Sequence, residues 1–279
     1  MPAVRRVVFV ADDLGISPGV NDGIARAAAT GLVREASVCV CGHAVAAGVQ
    51  RARELGIGMG LHLCFTLGRP LSGPIRGLCD AGGNFRDLPA VLLACLRRAV
   101  DAAAVAREVA AQIALLRDLG VVPTHLNGHH HVHCLPVIRD AAFAAAARAG
   151  IRWTRLPAEH AVAGSRLRPE RLLLAWLSRR ARRLCAAAGL RALPFVGFTL
   201  QARADYGERV RALAARLPAG DYEWMVHPRV PDAEFAALDP RGGARDAAAN
   251  SELAALADAG LPAALTRLGV VPAGYAQVG

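Results

Sequence analysis

The sequence predicts an α/β protein built on a mostly parallel sheet. Short apolar runs alternate with helix-like stretches along the whole chain, and Gly and Pro punctuate the boundaries between them. The residues with the most reactive side chains fall at the ends of the apolar runs. Repeated βα units leave two architectures open, a closed barrel or a doubly wound sheet, and both gather functional residues at the carboxyl ends of strands. With 279 residues, no Pro/Gly/Ser linker and no clear repeat, the chain reads as one domain over 1–279 with a substantial core.

Residues 5–11 are expected to form a buried strand, followed by a helix that starts near Pro18 and closes at Gly31, the usual asymmetry of Pro at a helix start and Gly past its end. A strand over 36–41, a helix over about 43–54 and a strand near 57–64 follow. The stretch 67–89 is rich in Gly and Pro, lacks periodicity and is long for a connection, as lids and substrate loops often are. A helix at roughly 101–119 leads to a strand at 122–127, and Pro136 opens a helix that ends at Gly150. Strands are expected over 151–156, 195–200 and 221–226, a helix over about 168–188, and a last strand near 269–271 after a helical C-terminal region.

All 33 basic residues are arginine, against 23 acidic residues, for a formal charge of +10. Such a charge raises nucleic acid as a partner. No nucleic-acid motif accompanies it, three tyrosines and three tryptophans offer little base stacking, and the Arg/Ala richness reads as coding bias. No nucleic-acid partner is expected. The absence of lysine excludes Schiff-base chemistry, a lysine general base and the Walker A loop. Seven cysteines without CxxC spacing fit reduced structural thiols in a cytoplasmic protein, with Cys39 and Cys41 on one strand face. Neither a signal peptide nor a transmembrane segment is expected. Residues 166–191 carry arginines at 166, 168, 171, 179, 180, 182, 183 and 191 around Leu172–Leu177. This pattern suits a barrel-packed helix with a solvated basic face or peripheral contact with an anionic membrane.

Five of the nine histidines lie within residues 125–133 (His-Leu-Asn-Gly-His-His-His-Val-His). Histidine is the commonest metal-binding side chain, and this density points to a metal site. Asp12 and Asp13 end the first strand, His62 lies in Gly60-Leu61-His62-Leu63, and His227 ends another strand before Pro228. Asp12, Asp13, His62, His129 and His227 therefore converge on one end of a parallel sheet. Adjacent carboxylates cannot face the same way on a regular strand, but a turn permitted by Gly15 can bring both to one pocket. One carboxylate can then ligate a cation while its neighbour serves as general base, although helix capping by Asp13 is a plainer alternative. His62 alone reads equally as a core histidine, and His125 as a packed supporting residue. His227 can protonate a leaving amine or simply bond to backbone. Arg155 can orient a carboxylate or bind a polar substrate group, or be one more surface charge. Imidazole and carboxylate ligands suit zinc or another first-row ion.

The ordered series Ala11-Asp12-Asp13-Leu14-Gly15-Ile16-Ser17, Val20-Asn21, Gly60-Leu61-His62-Leu63 and Pro123-Thr124-His125-Leu126-Asn127-Gly128-His129-His130-His131-Val132-His133 resembles YdjC-like carbohydrate deacetylases. Thr66–Leu71 and Val226-His227-Pro228 fit as well. The resemblance implies a deformed, TIM-like (β/α) barrel that removes acetyl groups from N-acetylated amino sugars with one divalent metal ion, Mg2+ or Zn2+. It implies Asp13, His62 and His129 as metal ligands, with His133 as the substitute third ligand. It also implies Asp12 as general base and His227 as general acid. The substrate it implies is an N-acetylated sugar or, in a hopanoid-associated branch, a glycolipid; a homo-oligomer is compatible with it. A non-catalytic metal- or sugar-binding protein on the same fold is the alternative from another class. Leu14 stands where the family commonly has phenylalanine, and Asn127 where it frequently has aspartate.

Overall fold

The computed structural model describes residues 4–160, 169–201, 203–239 and 243–279. The strands are β1 (Arg5–Leu14), β2 (Val33–Val38), β3 (Gly58–Leu63), β4 (His125–Gly128), β5 (Trp153–Thr154), β6 (Phe195–Val196), β7 (Gly220–Val226) and β8 (Val270–Pro272). They form one parallel sheet in the order β5-β4-β3-β2-β1-β7-β6. One edge of β1 pairs with β7, while the other is shared by β8 at Arg5–Val7 and β2 from Phe9 onward. Parallel bridges Trp153–Arg191 and Glu159–Phe195 stitch the two ends of the sheet together. The result is a deformed TIM-like barrel.

Side-chain alternation sorts the two faces of this sheet. Val7, Phe9 and Ala11 of β1 join the large apolar layer beneath the helices. Val8 and Val10 point inward, where they pack with Trp153, Leu193, Ala273, Tyr275 and Val278. The helices are α1 (Pro18–Ala28), α2 (Val45–Glu54), α3 (Leu88–Leu96), α4 (Ala102–Asp118), α5 (Ile138–Arg148), α6 (Pro169–Ala187), α7 (Tyr206–Arg216), α8 (Ala233–Leu238), α9 (Asp246–Leu256) and α10 (Gly260–Arg267). Ser17, Asp87 and Asp101 cap α1, α3 and α4 by accepting from backbone N–H groups of their first turns.

Several expectations shift. The second strand ends at Val38, so Cys39 and Cys41 lie beyond it rather than on a strand face. The strands expected over 151–156 and 195–200 shrink to two residues each, and Phe198–Leu200 forms a 3-10 turn instead. Helix α3 follows the long 67–87 stretch without a periodic signal, because its sequence LPAVLLACL is apolar all round. The stretch itself is tied to α4. Buried Glu108 accepts from the backbone N–H groups of Leu71 (3.1 Å) and Ser72 (2.7 Å). Arg166 and Arg168 of the basic segment lie outside the described residues.

Helix α1 approaches the loop after β7 through two glycines. A Cβ at Gly19 would sit 2.2 Å from the Val230 carbonyl oxygen, and one at Gly23 would sit 2.3 Å from the Arg229 Cα. The Val230 N–H donates to the Gly19 carbonyl at 2.9 Å, which fixes the chain just past His227. Gly23→Ala is therefore expected to destabilise the fold by about 1–3 kcal/mol through overpacking against backbone. Urea denaturation of the two proteins checks this.

Candidate metal centre

The site begins with a break in β1. Its pairing with β2 is irregular between Ala11 and Leu14, and Asp13 has φ +71°, a left-handed conformation rare outside glycine. Asp12 continues the inward face of Val8 and Val10, and the break turns Asp13 to the same side. Both line one cavity. The turn expected at Gly15 (φ +92°) thus begins two residues earlier, at Asp13 itself. His130 (φ +52°) and His131 (φ +59°) kink the histidine run in the same way. Strain of this kind costs roughly 1–3 kcal/mol per residue and concentrates at functional sites.

Asp13 Oδ1 stands 3.0 Å from both His62 Nε2 and His129 Nδ1. The three side chains are buried, and their ligand atoms lie within 4.8 Å of one another. The tautomer of His62 follows from its neighbours. Asp12 can only accept, so the Asn127 amide nitrogen faces Asp12 Oδ1 (3.0 Å) and its oxygen faces His62 Nδ1 (2.7 Å). His62 Nδ1 therefore carries the hydrogen, which leaves Nε2 bare toward the Asp13 carboxylate. Two acceptors cannot face each other at that distance without positive charge between them. A divalent cation answers that requirement, and two imidazoles with one carboxylate open to a cavity make a fitting donor set.

Asp12 is held on every side. Ser37 Oγ–H donates to Oδ1 at 2.8 Å, Arg155 NH2 donates to Oδ1 at 2.9 Å, and Arg155 NH1 donates to Oδ2. Burial resists ionisation of Asp12, but the Arg155 guanidinium and the nearby imidazoles hold its carboxyl well below the usual range. Burial likewise opposes ionisation of Asp13, and His129 and His62 overcome it. His129 loses basicity by burial and regains more from the Asp13 carboxylate, so its ring is pushed up to about 9.

The structure brings Asp12, Asp13, His62, His129 and His227 to this cavity of about 460 Å3. His227 Nε2 lies 3.7 Å from Asp12 Oδ2. The Gln201 amide nitrogen sits 3.1 Å from His227 Nδ1 and 3.4 Å from its Nε2, against the face of the ring. His133 is not brought to the cluster, because the kink at His130 and His131 turns it away. Its Nε2 donates to the Arg155 carbonyl at 2.8 Å. His125 packs against Tyr275 at 4.7 Å, deeper in the barrel. Arg155 is no surface charge: it is 1% exposed and bridges Asp12 and Glu223.

Sequence reasoning missed Glu223, Ser37 and Gln201. Glu223 and Ser37 carried a signal. Ser37 falls between the small and apolar residues Ala36 and Val38, and Glu223 shares the period-two face of Met225 and His227. Gln201 follows a 3-10 turn and carried none.

Fold and site together define an α/β barrel protein with a buried His-His-Asp centre at the carboxyl ends of its strands. The chain belongs to the YdjC-like protein family, which it matches over residues 6–267. It is 32% identical over 255 residues to a human carbohydrate deacetylase, covering 85% of this chain and 77% of that one. A mouse carbohydrate deacetylase is 34% identical, covering 87% and 82% respectively. A chitooligosaccharide deacetylase of Enterobacter sp. is 38% identical over 53% of this chain and 58% of its own. Among solved structures, a putative cellobiose-phosphate cleavage protein of Enterococcus faecalis superposes with a TM-score of 0.75 at 19% identity. Each chain is covered to 98%, which confirms the fold.

Two outcomes follow from the site. Arg155→Leu strands the buried Asp12 and Glu223 charges and is expected to cost about 3–5 kcal/mol, read from chemical denaturation. Because the His129 ring holds its proton up to about 9, a metal ion must displace that proton below this pH. Zinc affinity is expected to fall about tenfold per unit as pH drops below that value, with one proton released per ion. Calorimetry in buffers of different ionisation enthalpy measures both.

Proposed function

We propose that this protein is a metal-dependent N-deacetylase of amino sugars. The observation that carries this reading is the pairing of a cation centre (Asp13, His62, His129) with a separate carboxylate and imidazole across one cavity. The carbohydrate deacetylase relatives support it. Two imidazoles favour Zn2+ or another first-row ion over Mg2+, which prefers an all-oxygen shell. When bound, the ion supplies Lewis acidity to the acetamide carbonyl.

The remaining steps fall to the protein. Asp12 Oδ1 is saturated by Ser37, Asn127 and Arg155, whereas Oδ2 accepts from Arg155 alone on the side of His227. Oδ2 is therefore the atom that takes the proton of an attacking water. Its depressed pKa keeps it ionised across the physiological range, and the same guanidinium that does so weakens it as a base. His227 Nε2 faces the same space, 3.7 Å from Asp12 Oδ2; as an imidazolium it gives a proton to the departing nitrogen and is left as the neutral ring. The amide C–N bond breaks, and acetate and a free amine leave. Glu252 accepts the His227 backbone N–H at 2.7 Å and steadies this residue.

A lipid-linked amino sugar is favoured over a free oligosaccharide by the cavity wall. Leu88, Leu92, Leu173, Leu174, Leu177 and Phe198 give it an apolar wall, beside polar groups such as Gln201, Arg245 and Glu252. Acetate release measured over free and lipid-linked N-acetyl sugars, with and without added zinc, tests both levels of the reading. Asp12→Asn is expected to lower turnover by about 10²–10⁴-fold while zinc still binds. Retained turnover, or loss of zinc, would overturn the role given to Asp12.

A further inference from the structure

Two helices line this cavity with some side chains and turn apolar residues to solvent with others. Helix α3 holds no polar residue in nine positions, although it lies at the surface. Val91 and Cys95 face the core, and Leu88 and Leu92 face the cavity. Leu93 and Leu96, beside them on the helix, are 48% and 41% exposed. Helix α6 repeats the arrangement. Leu173, Leu174 and Leu177 line the cavity, while Leu172 (54%) and Trp176 (36%) are exposed on the neighbouring stripe. An all-apolar helix belongs in a core or in lipid, and α3 is not covered by the described chain on this side.

Charge names the occupant. Helix α6 carries Arg179, Arg180, Arg182 and Arg183 at exposed positions against a single acid, Glu170, while Arg171 pairs with Glu159 at 3.3 Å. Arg180 stacks on Trp176 at 4.3 Å, placing a cation and an amphipathic ring on one exposed stripe. Leucines beside a tryptophan, backed by arginines, match the boundary of a bilayer with anionic headgroups. A second copy of this chain offers the opposite of complementarity, because it carries the same arginines.

We infer that the exposed faces of α3 and α6 dock the protein on an anionic phospholipid bilayer, with the cavity opening toward the lipid. This rests on the proposed function for its purpose, since docking would let a lipid-linked sugar reach the site without its apolar part crossing water. It rests on the surface alone for its chemistry.

The test is co-sedimentation of the zinc-loaded protein with vesicles of phosphatidylcholine alone and of equal parts phosphatidylcholine and phosphatidylglycerol. The protein is expected to pellet with the anionic vesicles and to be released as salt screens its arginines. Leu93→Asp with Leu96→Asp is expected to weaken binding by roughly tenfold or more per leucine. Replacing Arg179, Arg180 and Arg183 by Gln is expected to remove the preference for phosphatidylglycerol. Wild-type protein left in the supernatant with anionic vesicles overturns the inference. So do unchanged binding by the leucine variant and a wild-type dimer in solution that the leucine variant splits.

Acetate release from a soluble N-acetyl sugar is read on the same samples and is expected to be equal in wild type and leucine variant. Vesicle binding without acetate release from either this sugar or a lipid-linked N-acetyl sugar supports the docking surface and removes the deacetylase reading. Acetate release without vesicle binding does the reverse.

Discussion

Two adjacent carboxylates buried at the end of one strand impose the constraint on which the rest of this site depends. Burying a carboxylate without compensation is costly enough that it would take up a proton instead. Asp12 and Asp13 escape that fate in different ways. Asp12 takes a guanidinium, and that guanidinium is held in turn by Glu223, whose own carboxyl is pushed up by burial and only partly restored by Arg155. Asp13 takes imidazoles. Three buried acids thus face one permanent cation, and the shortfall in positive charge lies at Asp13, between His62 and His129. A proton on His129 fills it, and a divalent ion held by the same three side chains would fill it as well.

The barrel makes this charge arrangement by ordinary strand geometry. Parallel strands present all their carboxyl ends on one side, so β1, β3, β4 and β7 deliver Asp12, His62, Asn127 and His227 to a common end. Alternation then decides which residues face inward. Asp12, Ser37, His62, Asn127 and Glu223 need nothing special from the backbone, because each sits on the inward phase of its strand. Asp13 alone is out of phase, and the left-handed step at its own Cα brings it in. The network is also rigid. Ser37 and Asn127 each touch both Asp12 and His62, so these two side chains cannot shift independently.

Much of this was legible in the sequence, and for local reasons. Strand-end position is a property of a short apolar run and its punctuation, so Asp12, Asp13, His62, His129 and His227 could be grouped without knowing the sheet order. What stayed hidden depended on contacts distant in the chain or on backbone torsions. Arg155 looks like any of the other arginines until Asp12 and Glu223, far away on either side, are placed around it. His129 and His133 share a spacing that suits a helix, and only the left-handed pair His130 and His131 sends them in different directions. Helix α3 was invisible for the opposite reason: with no polar residue it has no periodicity to read, and the property that hid it is the one that sets it apart at the surface.

The small strand β8 has a consequence for how the molecule is made. Its three residues occupy the edge of β1 that β2 leaves open, so Arg5–Val7 complete their hydrogen bonding only with Val270–Pro272, far along the chain. The following residues, Ala273, Tyr275 and Val278, then fill the inside of the curl around Val8 and Val10. During translation the amino-terminal strand must wait with one edge bare and its inward face unfilled. Contacts that close a loop of almost the whole polypeptide are slow to form, and unpaired edges invite association with other chains. Closing this barrel is therefore a late, long-range step of folding, and β1 keeps part of one edge and its inward face bare until β8 pairs with it.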